Sequence, residues 1–308
     1  MTHNSGRPDR SGAGAFGDLA LYGVTVLVWG TSWIAMHFQL GSVAPEVSVM
    51  WRFVLAAPVM VAWAFWAGER FSWPWRQHVR FALLGATLFS TNFVLFYLAG
   101  QHVPSGLLAV VFAMASPVTM VLAALLFRQR PELRVALGGL TGVAGVALMF
   151  APEIAGRGLD RTALTGLVLA TAGTLVFSCG NMVATSLQRD HIPVRVASGF
   201  GMVYAAAGLA IYALLRGLPI TIGVTPAYLG SLVYLALMSS VVAFAAYLEL
   251  LRRLAAARAA YATVLFPLVA LAASTLLENY AWTWPSFTGL CLVLVGNALV
   301  LLGGRKRA

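Results

Sequence analysis

Arg52 is the one charged side chain well inside a long apolar run of this sequence. It stands about seven residues from the start of that run, or roughly 10 Å along a helix. A guanidinium stays protonated and offers a fork of N–H donors. At that depth it either attracts a carboxylate or serves as a structural anchor, snorkelling outward or bonding to helix-end carbonyls. A second group lies in LVWGTSWIAMHF, residues 27–38. Trp29 and Trp33 are i and i+4, so they share a helical face that Met36 continues. An indole N–H has no partner in hydrocarbon, so this face, beside Gly30, Thr31 and Ser32, suits a cavity or a helix contact better than lipid. Pro117 and Pro267 sit in the middle of apolar runs. Each removes an N–H, which frees the carbonyls of Ala113 and Thr263 either to line a wet opening as part of a hinge or gate, or to mark a static kink. Met114, Ser116, Tyr261 and Phe266 flank that opening, and Asn92, Tyr97 and Tyr247 are further polar contributors. The chemistry on offer is reversible binding. No phosphate-binding loop, zinc motif or nucleophile with a base is legible, so no catalytic residue, metal ligand or cofactor is assigned.

The elements that hold these residues follow from composition. Apolar residues make up 60% of the 308, charged residues 10%, and the mean hydropathy is +0.84. A soluble chain carries about 25% charged residues, so lipid must be the main solvent here. A bilayer core needs roughly 20 apolar residues per helix. Ten such runs are found, at about 18–40, 45–67, 78–99, 104–127, 132–151, 162–187, 193–215, 226–250, 257–277 and 285–303. They are too long, and alternate too little, for the strands of a β-barrel. Residues 1–17 read as a polar, disordered tail and 304–308 as a basic tail. No cleavage site follows the first run, which reads as a span that stays. Cys179 and Cys291 lie in apolar runs and suggest neither a disulfide framework nor a metal cluster.

The connections carry a marked charge asymmetry. One alternating set holds 16 Lys and Arg residues, the other only Arg157, Arg161 and Arg216. Both termini are therefore expected on the cytoplasmic side. The net charge of +10 does not indicate nucleic-acid binding, because it is spread over short loops on one side of a membrane.

Shifted by 150 residues, the chain partly matches itself. Tyr97, Leu98, Ala109, Pro117, Ala123 and Leu126 fall on Tyr247, Leu248, Ala259, Pro267, Ala273 and Leu276. Near the start the offset is 148, which places Pro45 on Pro193 and puts Trp29 and Trp33 on Phe177 and Asn181. Each half, 18–151 and 162–303, holds five spans. An odd number forces the second half to run in the opposite sense, which is the inverted repeat of many secondary transporters. The expected fold is an all-α integral membrane protein of ten helices in a 5+5 inverted-topology repeat.

WGTSW (29–33), WRF (51–53) and LAAARAAYATVLFPLVALAASTLLENY (254–280) together resemble the EamA family of the drug/metabolite transporter superfamily, over nearly the whole chain. Within it the nearest likeness is to the YddG-type exporters of aromatic and other neutral amino acids. The resemblance implies a carrier in the bacterial inner membrane and an outward direction of transport. One departure is visible. Family members often carry a Gly-Glu pair after the fourth and ninth spans. Here Glu278 follows span 9, but Arg128 occupies the matching place after span 4, so no transport role is given to Glu278.

The missing residues narrow the solute. No Asp or Glu lies in the middle third of any span, whereas organic-cation exporters and most proton antiporters need one there. Phosphorylated solutes would want several buried cations, and only Arg52 is present. A neutral or zwitterionic small molecule with an apolar or aromatic side chain remains. Another metabolite, such as a nucleoside or drug-like compound, and a non-transporting receptor are the competing readings. Asp18, Glu249 and Glu278 are expected at span ends, hydrated and charged, so obligatory proton coupling is not expected, and His37 is the weak point of that reading. His37 and His102 read as interfacial. Gly138 and Gly142 mark a packing face of span 5. The partners implied are a small-molecule substrate and membrane lipid; the oligomeric state is left open.

Overall fold

The computed structural model describes residues 12–126, 133–155, 161–253 and 262–303, and among these the regular structure is helical throughout. Among the described residues nine helices are long and apolar enough to cross a bilayer: Gly17–His37, Pro45–Trp66, Trp75–Gly100, Ser105–Leu126, Leu133–Pro152, Arg161–Arg189, Val194–Leu215, Pro226–Arg253 and Trp284–Leu301. The shorter apolar helix Ala262–Leu277 lies between the last two of these. In chain order they are spans 1 to 10, with Ala262–Leu277 as span 9. Large apolar side chains such as Leu125, Leu140, Leu215 and Leu276 are exposed on the outside of the bundle. Lipid tails can cover such a surface, because a helix satisfies most of its backbone polar groups internally.

Equivalent spans begin and end by the same local chemistry. Pro45 opens span 2 and Pro193 is the residue before span 7, positions where a missing N–H is not needed by the helix. Gly68 (φ +73°) and Gly217 (φ +64°) follow the ends of these spans in the left-handed conformation that terminates helices. In both cases the next residue donates back into the last turn, Glu69 N to the Ala64 carbonyl and Leu218 N to that of Ala213.

Packing between halves shows the inversion directly. A Cβ on Gly138 would stand 2.5 Å from the Gly296 carbonyl oxygen, and one on Gly145 2.5 Å from that of Gly289. As span 5 advances from Gly138 to Gly145, span 10 recedes from Gly296 to Gly289. The two equivalent helices are antiparallel and in backbone contact, which only residues without a Cβ allow. Span 2 meets span 7 the same way. Trp51 donates to the Thr221 carbonyl at one end (3.0 Å), and Arg195 lies over the Trp63 ring at the other (5.5 Å to its centre). Span 1 packs on spans 8 and 9, and its counterpart, span 6, packs on spans 3 and 4.

One feature of the backbone was not expected from the sequence. Spans 3 and 8 each contain a π-helical segment, Gly85–Thr91 and Tyr234–Val242. Shifted by 150 residues the first falls inside the second, so the irregularity belongs to the repeat. Widening the ring from i+4 to i+5 changes the helical phase and leaves carbonyls less well engaged.

Candidate solute-binding cavity

A cavity of about 460 Å³ lies between the two halves. Spans 1, 2, 3 and 4 contribute to it from one repeat, spans 6, 7, 8 and 9 from the other. Of the residues singled out in the sequence, Trp29, Trp33, Arg52, Asn92, Phe177, Asn181 and Tyr247 line it, as do Met36, Ser116 and Phe266.

The tryptophan face has two different environments. The Trp29 N–H donates to the Ser239 carbonyl oxygen (3.3 Å) in the π-helical segment of span 8, and its ring lies 5.1 Å from that of Tyr247. The indole that needed a partner thus finds one across the repeat, at a carbonyl in the irregular stretch. Trp33 instead packs edge-on against Phe96 (5.1 Å) and at a tilt against Phe112 (5.5 Å). Phe112 continues the aromatic surface to Phe177 at 4.6 Å. Asn181 Nδ2 donates to Thr119 Oγ1 (3.3 Å), which ties span 6 to span 4 at the cavity wall.

Arg52 is 5% exposed. Its Nε donates to Ser240 Oγ (3.0 Å), a second nitrogen lies 3.4 Å from Ser239 Oγ, and its carbon centre stands 4.3 Å from the centre of the Phe93 ring. The phase change in span 8 explains how adjacent serines both reach one side chain. Ser240 also donates its hydroxyl to the carbonyl of Leu235, five residues back (2.9 Å).

Two residues from the sequence reading lie behind the wall. Tyr97 is fully buried, donates its hydroxyl to Gln39 Oε1 (2.7 Å), and neighbours Arg52 from the side away from the cavity lining. Met114 is spent on packing, since a Cβ on Gly142 would come within 2.5 Å of its sulfur. Tyr261 lies outside the described residues. The prolines do not line the cavity, but Ala113 and Thr263, whose carbonyls they deprive of a donor, both do. Span 4 breaks at Met114, where a tighter turn runs from Met114 N to the Val111 carbonyl (3.0 Å). Span 6 braces the break with Ser178, whose hydroxyl lies 3.3 Å from the Ala115 carbonyl. Span 9 stays helical through Pro267. Phe53, Phe93, Phe112, Ser239 and Ser240 were not anticipated. The aromatics are ordinary apolar residues in the sequence, and the serines become neighbours of Arg52 only through the π-helical segment.

Polar contacts close both ends of the bundle. At one end Arg80 pairs with Asp190, Arg195 with Glu69, and Arg253 with Asp18 (3.6 Å), each across the two halves. The Arg80 guanidinium holds the Asp190 carboxyl below the usual carboxylate range. At the other end Glu278 differs from the expectation that it would sit hydrated. Its side chain is 6% exposed, accepts from Ser105 N (3.0 Å) and Oγ (2.6 Å), and lies 2.8 Å from His37 Nδ1. It caps the first turn of span 4, where a carboxylate suits the positive helix end. Neither it nor His37 lines the cavity.

Two successive stretches, 16–151 and 164–302, match the EamA-like transporter family. The chain belongs to that family. It is accordingly a multi-pass membrane transporter and not an enzyme. Among EamA-like relatives, a Salmonella typhimurium protein named probable amino-acid metabolite efflux pump is 27% identical over 94% of this chain and 96% of its own length. An Escherichia coli K12 protein named uncharacterized inner membrane transporter YedA is 27% identical over 94% and 90%. A solved crystal structure at 20% identity shares the fold, with a TM-score of 0.66 over 96% of this chain and 99% of its own.

Proposed function

We propose that the protein is a secondary carrier of small neutral or zwitterionic solutes with apolar or aromatic side chains, amino acids foremost. It would work by alternating access between its two inverted halves. The observation that carries this reading is the cavity between the repeats, which is rich in aromatic rings and, among the described residues, has one guanidinium and no carboxylate in its lining. Its volume falls in the range of small-molecule sites. The rings offer stacking surface to an apolar side chain. The lack of a carboxylate disfavours organic cations. The relative named as an amino-acid metabolite efflux pump supports both the solute class and the outward direction. The relative named as an inner membrane transporter supports a place in the bacterial inner membrane. Cytoplasmic termini follow from the loop charges.

Transport is not obligatorily proton-driven in this reading. A coupled carrier needs a titrating group whose access alternates with that of the solute. The His37–Glu278 pair is at a span end, outside the cavity lining, and Glu278 is held there by Ser105. The test is uptake of labelled phenylalanine, leucine, adenosine and tetraethylammonium into proteoliposomes, with and without an imposed pH gradient. Saturable uptake of the amino acids, insensitive to the gradient, is expected. Uptake of adenosine alone would move the solute class to nucleosides. Accumulation abolished by a protonophore would overturn the uncoupled mechanism.

A further inference from the structure

Arg52 holds a permanent charge that the described protein does not neutralise. It is 5% exposed, it forms part of the cavity lining, and no Asp or Glu among the described residues pairs with it. Its acceptors are neutral hydroxyls, those of Ser240, of Ser239 at a long 3.4 Å, and of Tyr97, and its flat face rests on Phe93. A buried charge so placed is costly unless an opposite charge arrives. Its remaining N–H groups can form the paired, charge-assisted bonds that a carboxylate accepts. For an ammonium group the described lining offers neutral acceptors, Asn92 Oδ1, which has no hydrogen-bond partner, and the Ala113 carbonyl, but no opposite charge. No described lining residue is acidic. The hydroxyl of Ser32 is turned back to the Trp29 carbonyl (2.7 Å), and Thr119 already accepts from Asn181. Arg52 itself repels a second cation.

We propose that the cavity recognises its solute through a carboxylate bound by Arg52 and offers no opposite charge to the amino group, so that its substrates are apolar or aromatic carboxylates whether or not they are aminated. This rests on the reading of the protein as a carrier of small solutes, and it makes the carboxylate, not the amino group, the deciding contact.

The experiment is competition against labelled phenylalanine in counterflow, using four compounds on one side chain: phenylalanine, 3-phenylpropionate, phenylalanine amide and phenethylamine. In the unmodified protein 3-phenylpropionate should compete within about threefold of phenylalanine. The amide and the amine should be weaker by on the order of thirtyfold or more, the scale of a charged hydrogen-bonded contact. Arg52→Gln should bring phenylalanine and its amide to within about threefold of each other, while Arg52→Lys keeps part of the preference. The four-compound series in the unmodified protein decides the matter even if Arg52→Gln does not fold. Equal competition by the amide, or rejection of 3-phenylpropionate with phenylalanine still transported, would overturn this inference and leave the carrier reading standing. A folded Arg52→Gln that keeps full discrimination would assign Arg52 to anchoring span 8 and overturn it too. Counterflow of none of the compounds, with another solute carried, would remove the amino-acid reading and this inference together.

Discussion

Trp33 and Trp29 were legible as a pair because helical geometry puts i and i+4 on one face whatever the tertiary fold. Their difference was not, because it depends on which neighbouring spans meet each, span 8 for Trp29 and spans 3 and 4 for Trp33. Trp29 has its N–H committed to the Ser239 carbonyl, so replacing it loosens a contact between halves as well as the cavity. Trp33 gives its ring to Phe96, Phe112 and the cavity. Trp33→Ala should therefore impair transport far more than folded yield. The loss of a stacking surface of this kind is on the order of 1–3 kcal/mol, or roughly ten- to a hundred-fold in affinity. The check is the half-saturation concentration for phenylalanine in proteoliposomes, alongside the amount of monodisperse protein recovered. An unchanged affinity and rate would assign this face to packing. Met114 and Tyr97 show the limit of residue-level inference. Both are of the right type and near the right depth, but a one-residue rotation about the helix axis sends one into Gly142 and the other toward Gln39.

At the scale of elements, hydropathy located the spans because a bilayer imposes their length, and an odd number of spans per half required the inversion. The Gly138–Gly296 and Gly145–Gly289 contacts show that inversion in backbone terms. What hydropathy could not reveal is the pair of π-helical segments, since Gly85–Thr91 and Tyr234–Val242 are as apolar as their neighbours. The segment in span 8 matters to the site because it holds Ser239 and Ser240, which meet Arg52, and the carbonyl that accepts from Trp29. Pro117 and Pro267 were legible as a repeated feature, yet the helix breaks only at the first, where span 6 supplies bracing hydroxyls. The face of the membrane proposed for each end from the loop charges can be tested on two exposed loop positions, Ser72 and Ala281. With Cys179 and Cys291 replaced by alanine, a cysteine at Ser72 should react only with a reagent that enters the cell. One at Ala281 should react with an impermeant reagent added outside. Labelling of both from one side would contradict the arrangement of the spans, and the reverse pattern would contradict cytoplasmic termini.

For the whole molecule, the two halves meet around the cavity and are tied at both ends by side chains that cross between them. Arg80–Asp190, Arg195–Glu69 and Arg253–Asp18 hold one end, and Glu278 with His37 and Ser105 holds the other. None of these contacts is built like a deep hydrophobic core. Pairs with partly exposed members are each worth little, which suits ends that must part and close again in turn. In the proposed mechanism solute crosses by this alternation, one cavity-load at a time, and not through a continuous pore. The most direct test is entry of trace labelled phenylalanine into proteoliposomes preloaded with unlabelled phenylalanine. The alternating carrier predicts that internal solute accelerates entry and drives a transient overshoot above equilibrium, with a rate that saturates as external solute rises. Entry that rises linearly with concentration and ignores the internal solute would contradict it.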